Sequence, residues 1–263
     1  MQLREEKFTL NHRLNDGKMY LLLFLGALLF TTIGIYLFII PLSSSFSSHF
    51  PDVAGYLRAG YPDSRIIYEN IFGIASVVPQ VVAYIFFVCI SIIIAPNIYI
   101  LDYKKTKSDF LKFIILVVVF SIVMYVTNLI TNIIYILLGN TSTSANQLAI
   151  YGMLNSSASA VTVLLVVVLA PIVEELIFRK FLFGFFNETL HLNDWLAMIC
   201  SAIVFALIHV SSSVSELVYF PMYFVMALAL VGAYVVSKKN IYVTICVHII
   251  NNLVSVLAWM MMN

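Results

Sequence analysis

The sequence predicts an all-α protein: a polytopic transmembrane helical bundle of about seven spans. Three observations carry this. First, 62% of the 263 residues are hydrophobic and only 10% are charged, where a soluble domain carries about 25% charged residues. Second, apolar stretches of the length that crosses a bilayer, about 20 residues, recur along the chain. Third, Lys and Arg cluster in alternate connectors. A water-soluble fold of this size has too small an interior to hide so much apolar surface. With 14 basic and 13 acidic residues the net charge is +1, so no bulk field attracts nucleic acid and none is expected as a partner. Cys89, Cys200 and Cys246 all sit in apolar runs and read as packed thiols, not a disulfide framework or metal cluster.

Residues 1–18 read as a cytoplasmic tail. The first span, 19–40, is too long for a signal-peptide core, and no small-x-small cleavage site follows it. Pro41 and the serines from Ser43 to Ser48 open a long external loop, 41–70. Spans at 71–96 and 110–138, joined by the charged connector Asp102–Asp109, complete a three-span region over 19–150. Four more spans, at 158–186, 194–211, 216–236 and 240–261, make up residues 151–263. Their turns fall at Asn187–Asp194 and Ser237–Asn240. The 158–186 stretch contains Pro171 and, if broken there, yields eight spans. With the N-terminus inside, 12 of the 14 basic residues face the cytoplasm, so the positive-inside rule predicts N-in and C-out. The expected location is a cell membrane, of bacterial type, with the bilayer as the first partner and the oligomeric state open.

Eleven of the 13 acids lie in tails, loops or helix ends. The two exceptions are adjacent, Glu174 and Glu175. A carboxylate at membrane depth costs on the order of 2.5–3.5 kcal/mol on insertion scales. Glu175 and Arg179 are spaced i,i+4 and can pair on one helix face. Glu174 points about 100° away around the helix and has no such partner, which marks it as lining a site or pathway. His12, His49 and His191 stand in polar segments and read as solvated, whereas His209 and His248 stand inside spans. Asn128 and Asn132, with Thr127 and Thr131, read as interhelical hydrogen bonders.

The depths of these groups coincide. At 1.5 Å per residue, Glu174 and His209 each lie about 20 Å from the Asn187–Asp194 turn, and His248 and Asn252 about 15–21 Å from the same side. If the spans that carry them are neighbours, the four groups meet. Burial in an apolar surround makes a carboxylate a stronger base, and histidine and asparagine N–H groups can stabilise an oxyanion. A glutamate and two histidines are also the ligand set of a hydrolytic zinc site. No Ser or Cys stands as an obvious nucleophile.

Glu174-Glu175-x-x-x-Arg179, Phe205-x-x-x-His209 and His248-x-x-x-Asn252 resemble the three motifs of the CPBP family, the CAAX proteases and bacteriocin-processing (Abi) proteins. The resemblance covers about residues 155–262. It implies an intramembrane endopeptidase of metalloprotease type, acting on a membrane-associated peptide or protein: a CAAX protein, a bacteriocin leader or a signalling peptide. By that resemblance Glu174 activates the attacking water and His209 holds it, or holds a metal. Glu175 and Arg179 shape the site, His248 and Asn252 bind the oxyanion, and Phe205 packs beside His209. A metal would be Zn²⁺ on Glu174, His209 and His248; a metal-free glutamate mechanism uses the same residues. Two other classes compete with an enzyme: a non-catalytic membrane regulator or bacteriocin immunity protein on the same fold, and a proton-coupled transporter using Glu174 and His209 as a relay.

Overall fold

The computed structural model describes residues 62–94 and 96–262, together with Leu25 and Gly26. The expected span 19–40 and the loop up to residue 61 fall outside this range, apart from those two residues. All regular structure among the described residues is helical. Helix α1 runs Pro62–Ile94 and so takes in residues 62–70, which the sequence reading left in a loop. Pro62 at the first helical position has the fixed φ that a helix start requires. Helix α2, Pro96–Ser108, replaces most of the expected charged connector. Proline again opens it, and Lys105 and Lys107 in its last turn favour the negative end of the helix dipole.

Helix α3, Phe110–Leu137, starts where the Asp109 carboxylate accepts the Lys112 N–H and ends just before Gly139 at φ 76, the left-handed position that glycine takes without strain. Helix α4, Ala145–Leu154, is capped by Ser144, whose hydroxyl accepts the Gln147 N–H. This short helix lies between the expected spans 110–138 and 158–186. The cap and the helix-forming residues after it are local signals that outweighed its lack of a span-length apolar run.

Helix α5 runs Ser159–Thr189 without interruption, so the stretch does not split at Pro171. It absorbs the proline by widening into a π-helical turn at Leu165–Leu169; further π-helical turns follow at Leu176–Leu182 and Phe185–Thr189. The Ala170 N–H bonds the Leu165 carbonyl, five residues back. In that register the next carbonyl, Val166, pairs with residue 171, which as proline has no N–H to give.

Helix α6, Asp194–His209, is capped by Asn193, which accepts the Leu196 N–H. Its 16 residues extend about 24 Å, short of a hydrocarbon core of about 30 Å. A 3₁₀ turn, Val214–Tyr219, leads into α7, Phe220–Val236. Lys238 and Lys239, at φ 58 and 61, turn the chain into α8, Ile241–Met262.

Four helices among the described residues are long and apolar enough to cross a membrane: Phe110–Leu137, Ser159–Thr189, Val214–Val236 and Ile241–Met262. The other apolar segments, Val77–Ile93 and Asp194–His209, are shorter. Six spans were expected over this range; the four long helices fall on the expected spans 110–138, 158–186, 216–236 and 240–261, and α1, 33 residues long, takes in the expected span 71–96 as far as Ile94. Helix α5 is its centre: half of its most apolar window is buried, against 11% for α3. Its Leu176, Phe178 and Phe181 pack with Phe205 of α6, Val231 of α7 and Ile245 of α8. The cysteines are only partly as expected. They are free thiols, but Cys89 is exposed and Cys200 and Cys246 are half-buried.

One end of the bundle is tied by Asp102 of α2. Its carboxylate takes Lys180 Nζ of α5 at 2.6 Å, Lys105 Nζ at 3.1 Å and the Ile241 N–H of α8 at 2.9 Å. Lys180 also donates to the Lys239 carbonyl, and Lys239 Nζ to Asn187 Oδ1. These bonds hold α2, α5 and the α7–α8 turn in one register.

Candidate functional site

Helices α5, α6 and α8 are neighbours, and the carboxylate and two histidines that the depth argument placed at one level do meet. Glu174 Oε2 lies 3.9 Å from Nε2 of His209 and 3.9 Å from Nε2 of His248. Both distances exceed a hydrogen bond. Among the described residues no hydrogen bond reaches Glu174, which borders a cavity of about 160 Å³.

The neighbouring acid is held quite differently. Glu175 and Arg179 are both fully buried, with Glu175 Oε2 at 3.0 Å from Arg179 Nε. The guanidinium N–H groups nevertheless have no aligned acceptor, so charge, not a directed hydrogen bond, holds this pair. The Arg179 guanidinium lies over the Phe205 ring at 5.0 Å, a cation–π contact. The same aromatic ring also serves His209, whose ring stacks on Phe205 at 4.2 Å. Phe205 therefore does pack beside His209, and it couples that histidine to the ion pair behind.

The partners of the two histidines set their tautomers. His209 Nδ1 is 2.8 Å from the Phe205 carbonyl oxygen, which can only accept, so Nδ1 carries a hydrogen. His248 Nδ1 is 2.9 Å from Glu175 Oε1, a carboxylate already paired with Arg179, so here too Nδ1 donates. In each neutral ring the lone pair is then on Nε2, and both Nε2 atoms are turned toward Glu174. Glu175 thus aims His248 as well as pairing with Arg179.

Asn252 is placed by a backbone consequence of Pro171. Its Nδ2 donates to the Val166 carbonyl at 2.9 Å, the acceptor that the proline leaves free. Asn252 Oδ1 accepts from Asn251, and Asn251 Oδ1 accepts from Asn128 of α3 at 2.7 Å. Three amides in a row connect α3, α8 and α5. Asn128 makes the interhelical bond expected of it, while Thr131 turns back to the Thr127 carbonyl of its own helix. One Asn252 N–H is occupied by Val166, which leaves its second for any other acceptor.

The donor chemistry of Glu174, His209 and His248 suits Zn²⁺, but their arrangement does not. Ligand atoms about 2.0–2.2 Å from one zinc sit closer to each other than 3.9 Å in a tetrahedral set. Among the described residues no three His, Cys, Asp or Glu side chains are disposed to hold a metal ion.

Sequence reading missed three participants. Tyr84 of α1 and Asn146 of α4 border the same cavity as Glu174, and Tyr223 of α7 lies 5.0 Å from the His209 ring. An aromatic or an amide on an apolar helix has an ordinary packing role, and nothing in the local sequence marks these three.

Comparison with known proteins agrees with the motifs. The family model for type II CAAX prenyl endopeptidase Rce1-like proteins matches residues 156–254. UPF0177 protein YbdI of Lactococcus lactis subsp. lactis (strain IL1403) is 44% identical over 59 residues, which are 22% of this chain and 30% of that protein. The chain thus spans about a third of the curated relative it matches. No solved structure matches. The matched residues, 156–254, are those that carry the three motifs of the CPBP resemblance.

Proposed function

We propose that this chain, with its Rce1-like region, is an integral membrane endopeptidase in which Glu174 activates water. The observation that carries the proposal is the spacing of Glu174 Oε2, 3.9 Å from each histidine Nε2, beside a cavity with room for several waters. That distance is too long for a direct bond and short enough for one water to bridge. Glu174 takes a proton from the water as its oxygen attacks the peptide carbonyl carbon. The C–N bond of the tetrahedral intermediate then breaks, and Glu174 returns the proton to the leaving nitrogen. His209 accepts the water's other hydrogen and orients it. His248, charged against Glu175 when protonated, donates from Nε2 to the oxyanion, as does the second N–H of Asn252.

No step is routed through a metal. Zinc would require Glu174, His209 and His248 to draw together, and plasma mass spectrometry of the purified protein measures whether one zinc per chain is bound. The charge pattern supports placing the Asp102 end of the bundle in the cytoplasm, with the site about 20 Å from the α5–α6 turn.

The substrate class is a peptide or protein segment at the membrane. The test compares membranes exposed to wild-type protein with membranes exposed to Glu174→Gln, reading new peptide termini by mass spectrometry. Termini that depend on Glu174 support the proposal. Equal cleavage by the variant rejects it, and a cellular phenotype rescued by Glu174→Gln favours a non-catalytic regulator.

A further inference from the structure

The cavity beside Glu174 has two walls of different origin. Val173, Glu174 and Ile177 of α5 and His209 of α6 form one, inside the Rce1-like segment. Tyr84 of α1 and Asn146 of α4 form the other, from helices that precede residue 156.

Asn146 is held in a fixed pose. Its Nδ2 donates to the Tyr223 hydroxyl at 3.3 Å, which pairs in turn with Ser144 Oγ at 2.8 Å. Asn146 Oδ1 has no hydrogen-bond partner among the described residues, and neither does the Tyr84 hydroxyl. Both residues are half-buried, and a binding pocket is a largely apolar cavity with a few convergent polar groups. Here the unpartnered atoms are one acceptor and one donor, the complement of what an extended peptide backbone presents.

We infer that Tyr84 and Asn146 contact the substrate. Asn146 Oδ1 accepts a backbone N–H beside the scissile bond, and the Tyr84 hydroxyl donates to a backbone carbonyl. The inference rests on the hydrolase reading and extends it: the peptide lies between α1–α4 and α5–α6. Helices outside the Rce1-like segment therefore take part in choosing which peptide is cut.

The test uses purified full-length protein added to membranes from cells lacking it, with new peptide termini quantified over time. The variants are Tyr84→Phe, Asn146→Ala, Asn146→Asp and Glu174→Gln, with Val119→Ala on the exposed face of α3 as control. Tyr84→Phe and Asn146→Ala each lower the rate about tenfold and alter which termini dominate, while melting with wild type. Asn146→Asp keeps an acceptor and retains more activity than Asn146→Ala. A purely structural role, through the bond to the Tyr223 hydroxyl, would slow cleavage at every site alike and leave the dominant termini unchanged. Wild-type rates and unaltered termini in Tyr84→Phe and Asn146→Ala overturn this inference and leave the hydrolase reading standing. If no termini depend on Glu174, that reading fails and this inference falls with it.

Discussion

Asp102 and Glu174 are both acids within an apolar bundle. Asp102, 1% exposed, is surrounded by donors: two lysines and a helix N-terminal N–H, all within 3.1 Å. Glu174, with 22% of its side chain exposed, has none among the described residues, only two histidines at 3.9 Å. A carboxylate whose lone pairs are filled is stabilised and inert, and serves as a staple. One held near polar partners but outside hydrogen-bond range can accept from a third molecule. The same contrast separates the adjacent acids of α5, where Glu175 is spent on Arg179 and His248, and Glu174 has no hydrogen bond among the described residues.

The sharpest way to break this comparison is to remove each carboxylate's charge. Glu174→Gln is expected to lower cleavage about 10²–10⁴-fold with its thermal unfolding in detergent unchanged. Asp102→Asn should do the reverse, losing about 1–3 kcal/mol of stability with cleavage per folded molecule unchanged. Equal losses of activity in the two variants, at unchanged stability, would erase the distinction.

Arg179→Met probes the acid between these extremes. It strands Glu175 as a buried charge and is expected to cost about 3–5 kcal/mol, most of it recovered in a Glu175→Gln, Arg179→Met double variant. Detergent unfolding of the two variants measures this. The smallest effect is expected at Asn128→Ala, which removes the far end of the amide series. A transmembrane hydrogen bond is worth about 0.6 kcal/mol on average, so unfolding should shift by roughly that amount, with cleavage reduced only as far as Asn252 is loosened.

Much of the site was legible beforehand. Glu174, His209 and His248 stood out because ionisable groups are rare in apolar helices, and their depths follow from the helical rise counted from two short turns. The Glu175–Arg179 pair followed from i,i+4 spacing. Asn252 was expected to join them, but its side chain bonds the Val166 carbonyl and Asn251 instead. The bond to Val166 depends on α5 adopting a π register around Pro171, which was read instead as a possible break. The boundaries read least well were those of α1, α2 and α4, where proline openings and a serine cap built helices in segments judged by hydropathy alone.

By itself the sequence determined the helical class, the membrane character, and the ranges of the last four helices to within a few residues. Composition, apolar run length and capping are local properties that need no knowledge of neighbours. Only the tertiary structure decided that α5, α6 and α8 adjoin, that Asp102 is a staple, and that Tyr84 and Asn146 face Glu174. Which faces of two helices meet depends on side chains packing from distant parts of the chain, and a partner more than a hundred residues away leaves no mark in the local pattern.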